Sequence, residues 1–135
     1  RAEARRIAHW FDRKFDAEVN AFLLHEKLET RVQGLGAPDM EAIRIGRDYL
    51  KQHLAYFDAL LAEREGLAGA RYTLADIAGA AHLSCLDYLG DVPWDQHPHL
   101  KAWYERVKCR PAFRPLLEDR LPGTPPVTWY AQLDF

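Results

Sequence analysis

No apolar run in the sequence approaches the roughly 20 residues needed to span a bilayer, and the opening RAEARRIAHWFD has no stretch like a signal peptide's hydrophobic core. A soluble, cytoplasmic protein without membrane insertion is expected. Charge of one sign is lacking as well: 18 Lys and Arg stand against 20 Asp and Glu, a formal net charge of −2. Without the basic excess by which nucleic-acid binders displace counterions, no nucleic-acid partner is expected. Cysteine is scarce. Cys85 and Cys109 are too few for a disulfide framework or a four-ligand zinc site, and they read as small core residues. The six histidines form no HExxH pair and no His-Cys cluster, so no metal is expected. Strand-type alternation and internal repeats are missing too. The chain also opens at Arg1 without a methionine, already with helical spacing, so a preceding segment is expected.

What is present is helical periodicity in a composition 48% hydrophobic and 28% charged, ordinary for one globular domain of 135 residues. Ile7, Trp10, Phe11, Phe15, Val19, Phe22 and Leu23 recur at steps of three and four, predicting a long helix that fades near Gly34-Leu35-Gly36. Pro38 and Asp39 open a second helix, which carries Ile43, Tyr49, Leu50, Leu54, Phe57, Leu60 and Leu61 and runs to about Glu65 or Gly66. A third, Leu74 to about Tyr88, is apolar almost all round and reads as the central helix, with Ala78 to Ala81 small enough for close approach. A fourth follows Pro98 and runs to Cys109, and a short fifth starts after Pro111. The expectation is an all-α bundle of about five helices over residues 1–120, with a tail over 121–135. Pro122, Gly123, Pro125 and Pro126 keep the first half of that tail from being regular helix. Trp129, Tyr130, Leu133, Asp134 and Phe135 make its end a segment that docks on the body or on a partner, with more weight on partner binding than on folding.

One motif has a definite mechanism. Tyr72-Thr73-Leu74-Ala75-Asp76-Ile77 opens the third helix with a capping box: Thr73 accepts from the Asp76 N–H, and the Asp76 carboxylate reaches back to the Thr73 N–H. Tyr72 and Ile77 stand at the positions of a hydrophobic staple. With Gly69, with Trp103 and Tyr104 on the next helix, and with Cys109-Arg110-Pro111-Ala112-Phe113 after it, the motif resembles the helical C-terminal domain of cytosolic glutathione transferases. The segments Trp10-Phe11-Asp12-Arg13-Lys14-Phe15, Ala80 to Tyr88, and Tyr130-Ala131-Gln132-Leu133-Asp134-Phe135 are similar to a subfamily, the transferase-like division proteins of alphaproteobacteria.

The resemblance implies a thioredoxin-like N-terminal domain, which binds glutathione and supplies the Tyr, Ser or Cys that activates its thiol. No such βαβ segment is present, so this chain is expected to hold no cofactor and no catalytic residue. The subfamily resemblance implies a homodimer in the full-length protein and FtsZ, or another division protein, as partner. A glutathione transferase acting on electrophilic small molecules is the alternative, and a structural adaptor a third reading. If the parent is an enzyme, the family implies that the first helix lines the second-substrate cleft, with Trp10, Arg13, Lys14 and Ala17 as candidates one turn apart. His97 and His99, flanking Pro98, read as loop or capping residues, and His82 as a hydrogen-bonded core residue. Ser84, Cys85 and Asp87 are crowded on one helix, and residues one or two apart face different ways, so packing and exposure are expected of them.

Overall fold

In the computed structural model, which describes residues 1–135, the chain opens with a long helical rod, α1, made of Ala2–His9, Trp10–Glu29 and Thr30–Val32. Trp10–Glu29 winds as a π-helix, and Thr30 N–H reaches back five residues to the His25 carbonyl. Ile7, Phe11, Phe15, Val19 and Leu23 are all fully buried and follow one another at every fourth residue. In an α-helix of 3.6 residues per turn such a row drifts about 40° around the rod per step. The row packs against the rod's main neighbour, α2 (Met40–Glu63).

Asp39 caps α2 as its sequence position predicts, its carboxylate accepting from Glu41 and Ala42 N–H at 3.0 and 3.4 Å. The two helices meet closely at Gly46, where an added Cβ would lie 2.8 Å from the Leu23 backbone nitrogen. The helix stops at Glu63, two or three residues short of the expected end, because Arg64 takes an extended backbone.

Helix α3 (Leu74–Tyr88) has the expected bounds but is not buried all round. Ala75, Asp76, Gly79, Ala80, Leu83, Ser84, Leu86, Asp87 and Tyr88 face inward, whereas Leu74, Ile77, Ala81 and Cys85 are exposed. A helix apolar on every side gives no periodic signal of which face the body covers. Gly79 packs as the small-residue run predicts: a Cβ there would meet Leu67 Cδ1 at 2.7 Å and Phe11 Cε2 at 2.9 Å. The core reading of the two cysteines does not hold, since Cys85 and Cys109 are both exposed free thiols.

Helix α4 (Pro98–Lys108) begins with Pro98 in its first turn. His97 precedes it but makes no side-chain cap; the carboxylate of Asp58, on α2, accepts the Leu100 N–H at 2.9 Å instead. The expected short fifth helix is a 3-10 helix, Arg114–Glu118, and another short one covers Trp94–Gln96. One core runs through all four helices, while Tyr88, Leu117 and Tyr130 form a smaller cluster under the tail. No helix is long and apolar enough to cross a membrane.

Candidate functional site

Asp76 is the best-connected carboxylate in the chain. Its Oδ2 accepts the Thr73 N–H at 2.8 Å, closing the return half of the capping box. Thr73 Oγ1 accepts from the backbone of Asp76, as expected, and also from the N–H of Ala75 at 3.2 Å, so both halves of the box are present. Beyond the box, Asp76 Oδ1 accepts the Leu67 N–H at 2.9 Å and the Trp103 indole N–H at 2.8 Å. A fully buried carboxylate thus ties the loop before α3, the start of α3 and the middle of α4 together. The staple position Tyr72 is exposed and lies beneath the Arg110 guanidinium, 3.4 Å from ring centroid to carbon.

Of the four candidates on α1, the structure brings two together. Trp10 is half-buried, stacks on Tyr56 with ring centroids 4.9 Å apart, and donates its indole N–H to His53 Nδ1 at 2.9 Å. Because Nδ1 accepts, the proton of neutral His53 sits on Nε2, which donates to Glu18 Oε1 at 2.8 Å. Burial pushes the His53 pKa below its ordinary value, with Glu18 opposing the shift. Lys14 donates to the other oxygen of Glu18 at 2.9 Å, and its ammonium lies 5.8 Å from the Trp10 ring. Hydrogen bonding to Lys14 lowers the Glu18 pKa. Arg13 and Ala17 are exposed on the same rod, and none of the four lines a main surface cleft.

His82 is hydrogen-bonded, as expected, but partly solvent-facing: Nδ1 accepts from Asn20 at 3.0 Å and Nε2 donates to Asp12 at 3.1 Å. Ser84, Cys85 and Asp87 do not converge. The Ser84 hydroxyl donates to the Ala81 carbonyl, Cys85 is exposed, and Asp87 is buried toward the tail.

The tail is seated on the body by a polar anchor that sequence reasoning missed. Asp87 Oδ1 accepts two indole N–H groups, from Trp94 at 2.8 Å and from Trp129 at 3.1 Å. Lys108, fully buried, donates to the Gln132 carbonyl at 2.7 Å and to that of Trp129 at 3.3 Å, with its ammonium 4.0 Å from the Phe135 ring centroid. Burial raises the Asp87 pKa and lowers that of Lys108, and each charge opposes the other's shift. Phe135 meets Trp94 and Tyr104 edge-on, Tyr130 is buried against Tyr88, Leu133 packs on the same cluster, and Asp134 is exposed. One signal for Lys108 was available: it follows the aromatic Tyr104 by four residues, which puts both on one helical face.

A family model described as glutathione S-transferase, C-terminal domain, matches residues 22–111. Over 135 residues the chain is 58% identical to FtsZ-localized protein A of Caulobacter vibrioides, covering all of this chain and 59% of that protein. The solved structure of FzlA from C. crescentus superposes on the whole chain with a TM-score of 0.98 at 58% identity. A crystal structure of a glutathione S-transferase from Rhodospirillum rubrum does so with a TM-score of 0.94 at 51% identity. The chain spans 60% of the length of each of these two structures.

Proposed function

We propose that this chain, which belongs to the glutathione S-transferase C-terminal domain family, is the helical part of a non-catalytic, FtsZ-binding cell-division factor. The observation that carries the reading is the 58% identity to FtsZ-localized protein A, which extends over all 135 residues and so includes the aromatic tail. In this reading the full-length protein is a cytoplasmic homodimer and the helical half is its scaffold.

Activation of a glutathione thiol needs a base or hydrogen-bond donor at the sulfur. Three hydroxyl and thiol side chains of α3 are poorly placed for that task. The Ser84 hydroxyl donates to the Ala81 carbonyl, the Tyr88 hydroxyl donates to that of Thr124, and the Cys85 thiol, partly desolvated by its packed neighbours although the residue is exposed, is pushed up. No step through glutathione is therefore assigned to this chain.

A second reading, a glutathione transferase acting on an electrophile, is favoured by the 51% identity to the R. rubrum enzyme. Two assays on the full-length protein separate them: co-sedimentation with GTP-assembled FtsZ, and conjugation of glutathione to 1-chloro-2,4-dinitrobenzene. Pelleting with FtsZ and no turnover is the expected pair. Turnover without pelleting overturns the division reading in favour of the enzyme. The 135-residue chain alone is expected to give no conjugation above the solution rate.

A further inference from the structure

At the tip of the α1–α2 hairpin, Val32, Leu35 and Met40 are large apolar side chains each more than 60% exposed. A cleft of about 720 Å³ opens beside them between the end of α1 and the start of α2, and of these three only Met40 lines it. Three cations line it, Lys27, Arg31 and Arg47. Asp91 holds two of them in place, taking Lys27 Nζ at 2.7 Å and Arg47 Nη2 at 3.2 Å. Arg31 reaches only the Gly123 carbonyl, at 3.5 Å. Glu26, the one acid in the lining, is turned to the Asp39 N–H at 2.7 Å. The cleft therefore offers, in one lining, a guanidinium that pairs with no carboxylate and an exposed thioether.

We infer that this cleft docks a short partner segment in which a carboxylate lies next to an apolar side chain. A guanidinium matches a carboxylate with two parallel N–H donors, so Arg31 supplies the charged contact. Met40 is a flexible, polarizable surface that adapts to the neighbouring apolar group. The concavity decides between two occupants. A flat anionic bilayer would be met by cations on a protruding face, whereas here Lys27, Arg31 and Arg47 line a hollow that a chain segment can enter. The surface uses neither the Trp10 to Ala17 stretch of α1 nor the docked end of the tail, Trp129 to Phe135, and the inference does not depend on FtsZ being the partner.

The test is fluorescence anisotropy of the purified protein with labelled octapeptides of alternating Asp and Leu, of Asn and Leu, and of Asp and Ser. The Asp–Leu peptide is expected to bind, and the other two to bind at least about tenfold more weakly. Arg31→Glu and Met40→Asp, both at exposed positions, are each expected to weaken the Asp–Leu peptide by a similar factor with the melting temperature unchanged. Absence of binding, or equal binding by the variants, overturns the inference. So does retention of the protein, but not of the variants, on phosphatidylserine vesicles, which would make the surface a membrane contact. Conversion of a dimer to a monomer by Met40→Asp in sedimentation would also overturn it, because a second copy would then be the occupant.

Discussion

Asp76 shows how a single residue can be a larger stability element than its local motif implies. A helix cap alone contributes about 1 kcal/mol. This carboxylate also satisfies Leu67 N–H and the Trp103 indole inside the body, and both would be left without partners in Asp76→Ala. A loss of about 2 to 4 kcal/mol is expected in urea or thermal unfolding, from hydrogen bonds to a charged group and the desolvated donors left behind. A loss no greater than that of Thr73→Ala would show that the inward bonds contribute nothing. His53 carries a pH dependence. Its pKa in the fold is lowered from the ordinary 6.5 by burial, so the fold favours the neutral ring. The contribution is present above that value and is lost as pH falls below it toward the folded pKa. Protonation also turns Nδ1 into a donor facing the Trp10 indole N–H. Stability measured from about pH 7.5 down to about pH 5 is therefore expected to fall less steeply in His53→Gln than in the wild-type protein.

At the scale of elements, the pairing of α1 with α2 depends on a glycine. The Leu23 backbone, and not a yielding side-chain end, stands 2.8 Å from where a Gly46 Cβ would be. In a free helix Gly→Ala is stabilising, by about 1 kcal/mol. Here the helices must separate, and Gly46→Ala is expected to lower stability by about 1 to 3 kcal/mol through overpacking. A gain in the melting midpoint would show that the close approach is relieved without cost. The row at every fourth residue in α1 explains why a pattern read as an ordinary amphipathic helix comes out with π winding over Trp10–Glu29: the same residues fit both periods to within a fraction of a turn.

The whole molecule is closed by its tail. Composition alone weighted Trp129 to Phe135 toward partner binding, but the structure seats Tyr130, Leu133 and Phe135 on the body and buries the Lys108 ammonium under the Trp129 and Gln132 carbonyls. Deleting residues 129–135 strips Lys108 of those acceptors and Asp87 of the Trp129 indole while opening an aromatic cluster. A loss of at least about 3 kcal/mol is expected, with a broadened or absent thermal transition. Unchanged unfolding of the truncated protein would return the tail to a partner-binding role.

Helix positions, the starts at Asp39, Thr73 and Pro98, and the family were legible in the sequence because they rest on local chemistry: periodicity, caps, prolines, and the Thr73–Asp76 pair with the Arg110-Pro111 stretch after α4. Which side of α3 is covered, that Asp58 caps α4 from another helix, that Asp76 reaches Trp103, and that Asp87 and Lys108 hold the tail were decided by tertiary structure alone. Each of these joins residues distant along the chain, and a buried charge is tolerable only once its partners have arrived. Spacing along one helix reports a face, but not which part of the chain packs on it.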